Sequence, residues 1–180
     1  MPNWCNNSVT FSNGSERELD RLVKAYNENR LFNEFFPCPE ELRETTAPNN
    51  KNADEMIEKY GYADWYSWQV DNWGTKWDVE SVNEIEREDG QMDVTVYFDS
   101  AWSPPLEFFR KMEEQGWTVR AYYYEPGMAF CGCYEDGNDE CYQIEGNSAW
   151  VRENIPEVID EMFAISESME QWEEEEKEDV

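Results

Sequence analysis

The residues best suited to chemistry are carboxylates, and they crowd the C-terminus. From Pro156 onward acids recur as Glu157, Asp160, Glu161, Glu167, Glu170, Glu173, Glu174 and Glu176, and Glu178-Asp179 close the chain. On a helix, carboxylates three or four residues apart stand about 5–6 Å apart at their Cβ atoms. DNA phosphates follow one another on a comparable scale. A rigid acidic helix can therefore present a duplex-like row of charge to a DNA-binding protein. The plainer use of such a run is a solvated, solubilising face. A net charge of -28 in 180 residues shifts the balance toward mimicry.

A second set lies in Asp64-Trp65-Tyr66-Ser67-Trp68-Gln69-Val70-Asp71-Asn72-Trp73-Gly74-Thr75-Lys76-Trp77, where four tryptophans and a tyrosine fall within fourteen residues. Trp68, Trp73, Trp77 and Trp102, with Lys76 and Asn72, can frame a site for a small ligand or a peptide. The same side chains can instead fill the centre of a core, since aromatics carry the largest apolar area per residue. In that case the Lys76 stem lies on an indole and its ammonium pairs with an acid.

Other constellations fall short of a site. Cys131-Gly132-Cys133 and Cys141 offer three thiols, whereas structural zinc takes four ligands, usually from paired CxxC knuckles. With Cys5 and Cys38 they make five, read as reduced, buried or half-buried thiols. Glu135-Asp136-Gly137-Asn138-Asp139-Glu140 lacks the spacing of a calcium loop and reads as a solvated turn. There is no histidine, which removes the commonest general base and metal ligand. No phosphate loop, HExxH motif or nucleophile elbow occurs. No catalytic residue, metal or cofactor is expected, and the chain is not read as an enzyme.

Charge also bounds the partners. Forty-two acids against fourteen bases repel nucleic acid and anionic lipid and attract basic surfaces. Direct nucleic-acid binding and membrane binding are not expected. Met1-Pro2-Asn3-Trp4-Cys5-Asn6-Asn7 has no basic and apolar leader, and no run approaches a membrane span, so a cytoplasmic location is the expectation.

The elements that must position these residues follow from pattern. Val9-Thr10-Phe11 reads as a strand, and Ser15 with Glu18 forms a capping box opening a helix to about Asn29, with Leu19, Leu22, Val23 and Tyr26 inward. Phe32 to Leu42, with Pro37 and Pro39, reads as an extended crossing with a short helix at most. A polar loop covers Glu44 to Asn52. Ala53 to Tyr60 reads as a helix stopped by Gly61. The aromatic stretch leads into a strand with Trp77, Val79 and Ile85 inward and Val82 breaking the parity.

Glu88-Asp89-Gly90 turns the chain into Met92, Val94, Val96 and Phe98, the clearest alternation present. Ser103 is read as the cap of a helix that carries Leu106, Phe109 and Met112 and ends at Gly116. Trp117 to Tyr124, Met128 to Tyr134 and Cys141 to Ile144 read as strands. The order is β-α-β-β-α-β, an α+β ferredoxin-like antiparallel sheet with helices on one face and an extra C-terminal hairpin. It occupies residues 1–150. Residues 151–180 read as an acidic C-terminal helix and tail, with Val158, Met162, Ile165 and Met169 as its apolar stripe.

Several motifs in order resemble the YubB-like family of phage- and plasmid-borne proteins. They are Met1-Pro2-Asn3-Trp4-Cys5-Asn6-Asn7, Phe35-Phe36-Pro37-Cys38-Pro39-Glu40-Glu41-Leu42, Asn72-Trp73-Gly74-Thr75-Lys76-Trp77 and Ser100-Ala101-Trp102-Ser103-Pro104-Pro105. Glu125-Pro126-Gly127 with Phe130-Cys131-Gly132 fits the same pattern. The resemblance spans roughly Met1 to Tyr134 and implies a ferredoxin-like domain of phage or mobile-element origin. It brings no catalytic or binding residues. The resulting expectation is an anti-defence interaction protein in the host cytoplasm. It would act as an acidic DNA mimic on a host DNA-binding defence or repair protein with a basic surface.

Overall fold

The computed structural model describes residues 3–48 and 50–178. Met1 and Pro2 of the opening motif, Asn49 of the polar loop, and Asp179 with Val180 of the tail lie outside them.

The first strand is the middle of the sheet. β1 (Trp4–Ser12) pairs with β3 (Asp93–Ala101) on one side and β4 (Thr118–Glu125) on the other. β2 (Glu80–Ser81) flanks β3, while β5 (Phe130–Glu135) and β6 (Asn138–Gln143) extend the sheet past β4. The order is β2-β3-β1-β4-β5-β6 and every neighbouring pair is antiparallel. The protein is α+β, with helices on a six-stranded open sheet.

One face carries the main core. Val9, Phe11, Val94, Val96, Phe98, Val119, Ala121 and Tyr134 point into it at alternate strand positions. Over them lie α1 (Glu16–Asn27) and α6 (Leu106–Glu114), which bury Leu19, Leu22, Tyr26, Phe108, Phe109 and Met112. The capping box is present, with the Ser15 hydroxyl accepting the Glu18 amide and Glu18 accepting the Ser15 amide. Ser103 does not cap α6; its hydroxyl donates to the Gly74 carbonyl at 3.2 Å, and Pro105 holds the cap position. Phe32 sits 4.5 Å from Phe108, ring centre to ring centre. Each such ring, fully buried, is worth about 1.5–3 kcal/mol.

Two stretches depart from expectation. The crossing after α1 is not extended: it forms α2 (Leu31–Phe35) and α3 (Glu40–Arg43), with Pro37 in the link between them. The cause is remote. The Asp78 carboxylate accepts the Phe32 and Asn33 amides at 2.8 and 2.9 Å, capping a helix start 46 residues away. Burial pushes the Asp78 carboxyl up, against the pull of those amides.

The aromatic stretch is a helix rather than the lead-in to a strand. After α4 (Ala53–Tyr60), Asp64 accepts the Ser67 amide at 2.9 Å and opens α5 (Trp65–Trp73). Gly74 ends it in the left-handed conformation at φ 84°, which a side chain resists. A Cβ there would also lie 3.0 Å from the Leu106 amide nitrogen, so the turn is pressed against the start of α6. Of the expected strand only Glu80–Ser81 joins the sheet. Val79 is buried and Ile85 packs on the core, but Trp77 is 40% exposed rather than inward.

The opposite sheet face is covered as well, so helices lie on both faces. α7 (Ser148–Asn154), α8 (Glu157–Phe163) and α9 (Ile165–Glu178) pack Val151, Ile155, Ile159 and Ile165 against Cys131, with Tyr122, Tyr124, Cys133 and Tyr142 beside them. These strand residues alternate with those of the main core. The C-terminal run is therefore not one helix. Pro156 restarts the chain after α7, and Ala164, left-handed at φ 48°, separates α8 from α9. The restart shifts the helical phase: Ile159 is buried, whereas Val158 and Met162 of the anticipated stripe are 46% and 41% exposed.

Candidate functional site

The acidic residues divide by what they touch. Asp160 accepts the Ser166 amide and hydroxyl, each at 2.7 Å, and so closes the first turn of α9. Glu173 accepts the Ser148 amide at 2.8 Å and its hydroxyl at 3.1 Å, fastening α9 to the start of α7. Glu170 pairs with Arg152. Those three carboxylates hold the C-terminal layer together.

Glu157, Glu161, Glu167, Glu174 and Glu176 face solvent. Glu157 and Glu161 are one turn apart on α8, and Glu167, Glu170 and Glu174 follow one stripe of α9. The break at Ala164 places these two rows on separate helices instead of one continuous rod. Between Arg152 and Lys177 the sequence holds ten acids and no base.

Beside this row lies an apolar recess. Tyr124, Pro126, Met169 and Trp172 line a groove of about 510 Å³, with Ser168, Glu173 and Glu176 completing it. Trp172 is 72% exposed, an indole left open among carboxylates.

The aromatic frame splits into a buried half and an open half. Trp73 is buried and its indole nitrogen donates to the Phe36 carbonyl at 2.9 Å. Trp68 meets Trp73 edge-on at 5.7 Å. The Asn72 side chain donates to the Trp68 carbonyl at 2.8 Å and accepts from Lys111 at 2.5 Å. Burial lowers the Lys111 ammonium from its ordinary range. Trp68, Asn72 and Trp73 thus serve the core and the α5–α6 seam.

Lys76, Trp77 and Trp102 stand apart from them, at the surface. The Lys76 ammonium sits 3.8 Å from the Trp77 ring centre and 4.1 Å from that of Trp102. Among the described residues no carboxylate lies within ion-pair distance of Lys76. Trp4 stands 6.0 Å behind Trp77. Trp102 is 46% exposed and left-handed at φ 70°, a conformation that is strained for a bulky residue. Its amide donates to the Asn3 carbonyl at 2.9 Å.

The thiols remain free. Cys131 is buried and pushed up to about 12, Cys38 to about 11, both by desolvation, and Cys5 higher still. Gly132 stands opposite Cys141 across β5 and β6. Among the described residues no group of three or more His, Cys, Asp or Glu side chains is placed to hold a metal ion. Three acids of the β5–β6 hairpin have protein partners: Glu135 pairs with Arg120, Asp139 accepts the Tyr123 hydroxyl, and Glu140 that of Tyr142.

The fold is similar to a crystal structure of a protein api92 from Yersinia pseudotuberculosis, of the family DUF1281. The identity is 12% and the TM-score 0.42, over 82% of this chain and 99% of that one. No family model matches the chain, so its likeness to the YubB-like family rests on the quoted motifs alone. No curated protein matches it either.

Sequence reasoning missed Trp172 and the part of Trp4. Trp172 carried a legible signal, as a lone aromatic in an acid run three residues after Met169. The groove it forms with Tyr124 and Pro126 joins residues more than 40 positions apart and left no local trace.

Proposed function

We propose that the chain is a phage or mobile-element interaction protein that presents an acidic, DNA-like surface and inhibits a host DNA-binding defence or repair protein. The observation that carries this reading is the run of ten acids without a base between Arg152 and Lys177, seven of whose members are exposed on α8 and α9. Ion pairing inside the fold uses few of them. The site consists of Glu157, Glu161, Glu167, Glu174 and Glu176, reinforced by the tethered Asp160, Glu170 and Glu173. In this reading the chain is not an enzyme, takes no cofactor, binds neither nucleic acid nor membrane directly, and works in the host cytoplasm. No helix among the described residues is long and apolar enough to cross a membrane.

Residues 1–150 are assigned as a ferredoxin-like body and 151–180 as the acidic C-terminal segment, whose helices pack on the second face of the sheet. The antiparallel order β2-β3-β1-β4, with α1 and α6 in the two crossovers, supports the first assignment.

The test is capture from lysate of a bacterial host on the immobilised protein, eluted by rising salt and competed with duplex DNA. Phosphate-like contacts make such binding steeply salt-dependent. A DNA-handling protein released by salt and by DNA is the expected result. The fourfold variant Glu157→Gln, Glu161→Gln, Glu167→Gln, Glu174→Gln should lose it. Capture that survives all four changes defeats the mimicry.

A second reading has one observation in its favour. Lys76 between Trp77 and Trp102, with Trp102 left-handed, is an open polar site in an aromatic frame. Strained, exposed residues concentrate at binding sites. Capture lost in Trp102→Ala yet kept in the fourfold variant would transfer the function to that surface.

A further inference from the structure

We infer that the groove between β4 and α9 is the seat for an apolar side chain of the partner, carried on a basic, amphipathic segment. The inference rests on the acidic reading above and adds an anchor to it. Charge alone does not call for this groove. Tyr124, Pro126, Met169 and Trp172 make its walls, and Glu173 and Glu176 stand on its rim, so an apolar floor meets a negative edge. Trp172 is 72% exposed at the one place where the acidic helix leaves an indole unburied.

The chemistry of the occupant follows from both features. An aliphatic or aromatic side chain fills the recess and removes the indole from water. Arginine or lysine one turn to either side meets Glu173, Glu176 and their exposed neighbour Glu174. Tryptophan is among the residues that most often dominate an interface when desolvated at its centre. A second copy of the chain is a poor occupant, because each carries a net charge of -28. Nucleic acid is repelled for the same reason. The partner is a protein that reads as basic and offers a hydrophobic knob.

The experiment uses two synthetic peptides of equal length and charge. One is a helix-forming peptide with leucine at positions i, i+3, i+4 and i+7 and arginine elsewhere. The other replaces each leucine with serine. Binding to the full chain is followed by tryptophan fluorescence and by calorimetry between about 50 and about 200 mM salt. The leucine peptide should keep part of its affinity at the higher salt, and Trp172→Ala or Met169→Ala should weaken it about tenfold there. Val158→Ala, an exposed apolar side chain on α8 outside the groove, should change nothing. Trp172 is too exposed for its loss to threaten folding.

If both peptides bind alike, fall equally with salt and ignore Trp172→Ala, the groove is no seat and the acidic reading stands. If neither peptide binds at the lower salt, both the groove and the acidic reading are overturned.

Discussion

Glu173, near the end of the last helix, holds both the amide and the hydroxyl of Ser148, at the start of the first helix of the C-terminal layer. The contact spans 25 residues and makes an acid that looks expendable in the sequence into a clasp. Neighbouring Glu174 faces solvent. The two should therefore separate on mutation. Glu173→Ala should cost about 1–2 kcal/mol, the worth of a charged cap contact. Glu174→Ala should stay within about 0.5 kcal/mol. Urea unfolding of both variants measures the difference, and equal losses would deny the clasp.

The Arg21 guanidinium, with Arg30 beyond it, holds the Glu34 carboxyl below the usual carboxylate range. A depressed carboxylate stabilises the fold above its unfolded value near about 4.3, and that stability is lost as pH falls through the lower folded value. The contribution is below about 1 kcal/mol, since all three side chains are partly exposed. Glu34→Gln should be less stable than the parent at pH 7, and the gap should close in acid. A gap that persists below both values would point to packing instead of charge.

The five thiols should react in an order set by burial. Cys141 is exposed, Cys133 partly so, and Cys5, Cys38 and Cys131 are buried with their thiols pushed up. Iodoacetamide at mildly alkaline pH, followed by peptide mass spectrometry, should find Cys141 labelled first and the buried three only after unfolding. Early labelling of Cys131 would mean that the C-terminal helices open readily from the sheet.

Trp102 offers a test of backbone strain. A left-handed residue with a side chain is disfavoured by about 1–2 kcal/mol, and glycine is not. Trp102→Gly and Trp102→Ala lose the same indole and the same contact with Lys76. The glycine variant should be the more stable by about 1 kcal/mol, less the chain entropy glycine adds when unfolded. An alanine variant more stable than the glycine one by about 0.5–1 kcal/mol, the entropy difference alone, would show that the site carries no strain.

Elements set by neighbours in sequence were legible. The capping box at Ser15 and Glu18, the alternation from Val94 to Phe98 and the helix stop at Gly61 all rest on residues a few positions apart. Errors arose where a distant group decided. Asp78 turns an apparently extended segment into α2. The helix of the aromatic stretch had a local cue, Asp64 capping Ser67, that the density of tryptophan obscured. In the site, the row of acids was visible but its interruption at Ala164 was not, because alanine normally favours helix. The separation of Trp73 from Trp77 was equally hidden, since burial depends on what α6 and Phe36 bring to one and not to the other.

The two open flanks of the sheet are defended differently. At one, β2 is two residues long, so a foreign strand finds little backbone to pair with. At the other, β6 offers a longer ladder but lines it with Asp139 and Glu140 on exposed positions. Short edges and like charges are both barriers to strand-by-strand growth of fibres. The second barrier is electrostatic, so salt screens it while leaving the first untouched. At high ionic strength the β6 flank keeps less of its guard than the β2 flank, and strand-by-strand growth becomes easier from that side alone.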